Sequence, residues 1–120
     1  MGWHCDGFMS DDINYIWCDS IPTEYIEGSF NLTQDHVKSI DEMNVIKSKI
    51  KLCDINTLYR LDETVIHRCN ENIPYAQMRC FVKVSFSKEK YNLIGNSHNY
   101  GLDYKWEMVQ RGVARNHPSQ

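Results

Sequence analysis

Asp54-Ile55-Asn56-Thr57-Leu58-Tyr59-Arg60-Leu61-Asp62-Glu63-Thr64-Val65-Ile66-His67-Arg68-Cys69 is the stretch on which the fold turns. Read at helical period, Ile55, Leu58, Tyr59, Val65, Ile66 and Cys69 share one stripe, and Asp54 stands where an N-cap belongs. Asn70-Glu71-Asn72-Ile73-Pro74 ends the pattern. The segment before it reads the same way. Thr33 takes the cap position, Asp35 lies near the positive N-terminal end, and Val37, Ile40, Met43, Ile46 and Ile50 follow at near-helical spacing. Two consecutive helices are therefore expected in the middle of the chain.

The flanks alternate instead. In residues 13–18, Ile13, Tyr15 and Trp17 fall on one face at period two, which is a strand signal. Asp19-Ser20-Ile21-Pro22 turns the chain, and residues 24–32 return as a second strand with a bulge at Gly28. Further on, Cys80, Val82, Val84 and Phe86 alternate with Phe81, Lys83 and Ser85. Ser87-Lys88-Glu89-Lys90 makes a polar turn, and a return strand starts over Tyr91 to Ile94. Leu102, Tyr104, Trp106 and Met108 then alternate with Asp103, Lys105 and Glu107. The expectation is a single domain over residues 1–120, class α+β: an antiparallel sheet of about five strands with two helices on one face, in the order β-β-α-α-β-β-β.

Charge is sorted along the chain. The first 37 residues hold seven acids and no Lys or Arg; residues 76–120 hold seven bases against three acids; the middle balances at six each. The net charge of -3 thus hides an acidic front and a basic back. Such patches pair within a subunit, pair between subunits, or leave the basic side open to an anion. A chain of this length buries only about two-thirds of its unfolded surface, so self-association is also expected, as a homo-oligomer built from dimers.

Five cysteines, Cys5, Cys18, Cys53, Cys69 and Cys80, are an odd count without a close-set framework. They argue against a disulfide scaffold and for a reducing cytoplasm. The opening residues lack a basic region followed by an apolar run, and no apolar stretch is long enough to span a bilayer, so neither a signal peptide nor membrane association is expected. His4-Cys5 and His67-x-Cys69 do not make a zinc-finger spacing, and no Cys-x-x-Cys occurs; no metal and no cofactor are expected.

Two stretches carry chemistry suited to a ligand. Gly95-Asn96-Ser97-His98-Asn99-Tyr100-Gly101 brackets five polar residues between two glycines. Asn96, His98 and Tyr100 supply hydrogen-bonding groups, and the glycines admit close backbone approach. The same residues also serve a plain solvated connection between strands. Arg111 and Arg115, four apart, have the fork-shaped donors that clamp phosphate, or else they belong to a solvated tail. Asp103-x-Lys105 with Glu89 upstream resembles the acid-plus-Lys arrangement of metal-dependent nucleases, the main enzymatic alternative. Those residues equally satisfy the wet face of an amphipathic strand. There is no Gly-x-Ser-x-Gly, Walker loop or dinucleotide-binding Gly-x-Gly-x-x-Gly.

The polar, Asn-bearing stretch, the aromatic strand before it and the closing Arg111-x-x-x-Arg115 resemble the phage Thoeris anti-defence 1 family over about the last 40 residues. Members of that family are sponges that sequester cyclic ADP-ribose signalling nucleotides without cleaving them. The resemblance implies that Phe81 or Phe86 stacks on adenine, that Asn92 or Asn96 hydrogen-bonds the ligand, that Arg111 and Arg115 bind its phosphates, and that the protein assembles into dimers or larger oligomers. It would place the protein in the host cytoplasm. The expected function is therefore non-enzymatic sequestration of an anionic nucleotide signal. The alternative is a protein-binding inhibitor or adaptor that engages a host protein through the acidic N-terminal region, where Trp3, Phe8, Tyr15 and Trp17 are interleaved with acids.

Overall fold

A computed structural model describes residues 2–88, 90 and 92–110. The chain divides into two compact units, Met1–Lys88 and Glu89–Gln120. Among the described residues the regular elements all lie in the first unit: β1 (Ile13–Cys18), β2 (Glu24–Ile26), α1 (His36–Val45), β3 (Ile50–Leu52), β4 (Tyr59–Leu61), β5 (Ile66–Arg68) and β6 (Phe81–Phe86). They form two three-stranded sheets, ordered β4-β1-β6 and β3-β2-β5, and all pairs are antiparallel.

This corrects the expected order β-β-α-α-β-β-β. Among the described residues there is one helix, and six strands in two small sheets replace a single sheet of about five. The class remains a small α+β domain. The helix expected over 54–69 is broken twice. Asn56 adopts a left-handed conformation (φ 57°), and its N–H donates to the Cys18 carbonyl at 2.7 Å. Asp62 Oδ1 accepts from both the N–H and the hydroxyl of Thr64, at 3.0 and 2.6 Å. Short polar side chains that satisfy nearby backbone groups in this way compete directly with the helical ladder. What remains is two three-residue strands that go to different sheets: Tyr59–Leu61 pairs with β1, and Ile66–Arg68 pairs with β2. The supposed stripe divides accordingly. Ile66 is buried, whereas Ile55, Leu58 and Cys69 are exposed.

The surviving helix is also shorter than its apolar spacing implies. Asp35, not Thr33, is the N-cap; its carboxylate accepts from the N–H groups of Val37 and Lys38 at 3.0 and 2.9 Å. Thr33 instead donates its N–H to Glu42 at 2.8 Å. The helix stops at Val45, and Ile50 joins β3. Ser39, Ile40 and Met43 are its buried face.

Two apolar clusters hold the unit. Trp3, Cys5 and Phe8 from the N-terminal segment pack with Ile26, Met43 and Ile66, flanked by Phe30, Leu32 and Ile46. Ile16, Cys53 and Leu61 form the second, with Tyr25, Tyr59 and Val65 against it. Trp3 and Phe8 are thus core side chains, each 7% exposed, not surface anchors. The buried Glu24 carboxylate is matched by Arg68 at 2.6 Å, and that guanidinium also lies 4.3 Å from the Trp3 ring centre.

The second unit carries no regular strand among its described residues. Where strands are expected over residues 91–94 and 102–108, the described residues show an isolated parallel bridge between Leu93 and Val109, and Tyr91 lies outside them. Val109 N–H donates to the Asn92 carbonyl and Ile94 N–H to the Val109 carbonyl, each at 2.9 Å. Leu102, Trp106 and Met108 are all exposed, so their alternation does not correspond to a buried sheet face.

Candidate functional site

The two faces of β1 differ in burial, whereas β6 is exposed on both. Along β1, Asn14, Ile16 and Cys18 are buried, and Ile13, Tyr15 and Trp17 are half-buried on the opposite face. The register sets Ile13 opposite Phe86, Tyr15 opposite Val84 and Trp17 opposite Val82. Directly opposed residues share a face, so these six side chains form one apolar surface. Phe86 meets the Tyr15 ring edge-on, with centroids 5.9 Å apart. Leu58 extends the surface, and a shallow depression of about 640 Å³ is lined by Ile13, Tyr15, Leu58, Val84 and Phe86. Phe86 and Leu58 are 60% and 64% exposed, and Val82 and Val84 about half. The one charged strand residue opposite this face is Arg60, across from Tyr15. Among the described residues β6 ends its sheet, and one of its backbone edges has no strand partner there.

A polar cluster lies elsewhere in the same unit. His4 and His67 form an isolated antiparallel bridge: His4 N–H donates to the His67 carbonyl at 3.0 Å, and His67 N–H to the His4 carbonyl at 2.9 Å. Reciprocal bonding sets their side chains next to each other, with ring centres 4.6 Å apart. Asp6, two residues beyond His4, reaches both rings. His67 Nε2 is 3.3 Å from Asp6 Oδ2, and His4 Nε2 is 4.0 Å from Asp6 Oδ1. Lys83 Nζ donates to Asp6 Oδ2 at 2.5 Å. Burial opposes ionisation of Asp6, but hydrogen bonds from His67 and Lys83 outweigh it and hold the carboxyl well below the usual range. The side chain of His67 is 6% exposed, that of His4 14% and that of Asp6 23%.

The Asp6–Lys83 pair also decides part of the charge question. Lys83 and Lys88 of the basic back are paired with Asp6 and Asp11 of the acidic front, each at 2.5 Å. Arg79 likewise donates to the Ser20 carbonyl and the Thr23 hydroxyl at 3.2 and 3.1 Å. Opposite charges at the two ends of the sequence thus meet within one subunit, and three of the seven bases of the back are engaged there.

The ligand residues expected from the sequence do not converge as one set. Phe81 and Phe86, five apart on β6, project to opposite faces; Phe81 is half-exposed with the Arg79 guanidinium 4.6 Å from its ring centre. In the second unit, Asn92 spends its side-chain amide on the Glu107 carbonyl at 2.5 Å. Asn96 N–H closes a turn to the Leu93 carbonyl at 3.0 Å. His98 does meet Tyr100, and it also meets Tyr104, with ring centres 4.6 Å apart in both cases. Tyr104 continues to Trp106 at 4.4 Å. Tyr100 is 91% exposed. The loop is braced by its own bonds: Asn99 Oδ1 accepts from Gly101 N–H at 2.9 Å, and Tyr104 Oη accepts from Asn99 N–H at 3.1 Å. Arg111 and Arg115 lie outside the described residues, as does Glu89, and Asp103 and Lys105 lie outside any strand.

No family model matches the chain, and no curated protein or solved structure matches it. Among the described residues, no helix is long and apolar enough to cross a membrane.

Proposed function

We propose that this protein works by binding rather than turnover, and that its binding surface is the apolar face of β4-β1-β6. The observation that carries this reading is the continuity of Ile13, Tyr15, Trp17, Val82, Val84, Phe86 and Leu58 across two strands and a loop, all at least partly exposed. Contiguous apolar surface of this kind marks interaction sites on small domains. Its composition, with aromatics and one Arg and no acid on the opposed strand residues, is that of an interface core.

The occupant is a second copy of this chain. A two-fold axis would lay this face of one copy against the same face of the other, apolar groups against apolar groups. Sedimentation velocity at micromolar concentration tests the reading. The wild type should run as a dimer, and Val84→Lys and Phe86→Asp should run as monomers that keep a cooperative thermal transition, at a lower midpoint than the dimer's. A monomeric wild type, or variants that remain dimeric, would overturn it.

A second reading concerns what such a dimer holds. The ring series Tyr100–His98–Tyr104–Trp106 supplies stacking surfaces of the kind that accept nucleobases. It favours the sponge function implied by the resemblance of the last third of the chain, with Arg111 and Arg115 on the phosphates. Titration calorimetry against cyclic ADP-ribose-type nucleotides is the measurement. Arg111→Ala or Arg115→Ala should each weaken binding about ten- to a hundredfold, the size of one lost charge-assisted bond. No binding by the wild type removes this reading and leaves the protein–protein one intact.

A further inference from the structure

We propose that His4, Asp6 and His67 bind one divalent transition-metal ion of the zinc type. The argument starts from the two imidazoles. His4 Nδ1 is 3.0 Å from the Gly2 carbonyl oxygen, and His67 Nδ1 is 2.9 Å from the Val65 carbonyl oxygen. A carbonyl oxygen only accepts, so both Nδ1 atoms carry hydrogen. Each Nε2 is turned to the same carboxylate, as a donor to it in the doubly protonated ring and with a lone pair in the neutral one. A divalent ion seated among them would take the place of the Nε2 protons opposite the carboxylate.

Backbone carbonyls that receive the remote N–H of a ligating histidine are the usual outer support of such sites, because they fix both tautomer and ring orientation. The donor set, two imidazoles and one carboxylate, matches that of zinc sites with an open fourth position. The three ligand atoms lie within 4.8 Å of one another. A tetrahedral ion with bonds of about 2.0–2.1 Å needs ligand atoms about 3.4 Å apart. His4 Nε2 lies 4.0 Å from Asp6 Oδ1 and His67 Nε2 3.3 Å from the other oxygen, Oδ2, so the set has to close by up to about 1.4 Å around a tetrahedral ion. The reciprocal backbone bonds between His4 and His67 hold the two imidazoles side by side. Lys83 donates to Asp6 Oδ2, which leaves Oδ1 to the ion.

Exposed thiols are the obvious competitors for the ion, so the test uses protein carrying Cys69→Ser and Cys80→Ser, both at exposed positions. Calorimetric titration with zinc near neutral pH should show one ion per chain. Cobalt substitution should give the strong visible absorption of a four-coordinate ion without a thiolate charge-transfer band. His4→Gln, at the more accessible of the two histidines, should weaken zinc binding by more than about tenfold, the least that loss of even an outer-shell partner costs. Its melting temperature without metal should match that of the parent. Absence of stoichiometric zinc binding would mean that protons and Lys83 alone supply the positive charge, and the proposal fails. It fails equally if His4→Gln binds as tightly as the parent, or if the cobalt spectrum is that of a hydrated ion.

Discussion

Asp6 is the residue at which most of this chain's polar chemistry meets. Its carboxylate faces two imidazoles and an ammonium that come from three separate parts of the sequence. If the two histidines and Asp6 hold a metal, Lys83 competes with it electrostatically. Lys83→Met should then raise zinc affinity about three- to tenfold, the size expected of a part-exposed ion pair; calorimetry that shows weaker binding instead would make Lys83 an essential support. The cysteines give an independent residue-scale expectation. Burial, reinforced by the neighbouring Cys18, pushes the Cys53 thiol up to about 11. Only the thiolate is nucleophilic. Under native conditions at mildly alkaline pH, iodoacetamide should label the exposed Cys69 and Cys80 first, leaving Cys5, Cys18 and Cys53 until denaturant is added. Mass spectrometry of peptides reads the order, and early modification of Cys53 would contradict the second apolar cluster.

At the scale of elements, α1 owes its start to one side chain. Hydrogen bonds from the Lys38 and Val37 N–H groups hold the Asp35 carboxyl below its ordinary value of 3.8. The folded pKa is depressed, so this contribution is complete above the unfolded value and disappears as pH falls through the folded one. The Lys38 amide resonance, followed by NMR on acidification, should titrate with a midpoint under 3.8. In Asp35→Asn, which keeps a capping oxygen but no titratable group, that inflection should be missing; an unchanged titration would show that another acid controls the cap. The strands follow a different rule. β1 and β6 are six residues long and pair along their full length, whereas β2, β3, β4 and β5 have three residues each and depend on neighbours already in place.

For the whole molecule, the pairing of Lys83 with Asp6 and Lys88 with Asp11 changes the reason for self-association. Sorted charge suggests subunits held by opposite patches, but in the fold two of those cations are matched inside one subunit. The proposed association through the outer face of β4-β1-β6 would be driven by apolar burial, which salt does not screen. The dimer should therefore persist from about 0.05 M to about 0.5 M salt, a range over which the screening length shrinks severalfold. Sedimentation across that series checks it. Dissociation at the upper end would return the interface to charged residues and count against the apolar face.

Residue order by itself determined the long strands β1 and β6, because strict alternation over six residues is a local pattern that survives wherever the strand is placed. It also determined the presence of a helix around Ile40 and Met43, and the segregation of charge. The segment 54–69 was decided by tertiary structure. Its apolar spacing is nearly as good for a helix as for short strands, and the choice went to Asn56 bonding the Cys18 carbonyl and to β1 and β2, which supply the edges that Tyr59–Leu61 and Ile66–Arg68 complete. Alternation over Leu102–Met108 misled for the converse reason: period two describes a surface only when something covers one side of it. Of the polar cluster, the pair His4-x-Asp6 is visible in the sequence as two groups on one side of an extended segment. Nothing local marks His67 as their neighbour. A backbone bridge between residues 4 and 67 brings it there, and contacts at that separation are set by how the chain closes on itself, which no periodicity encodes.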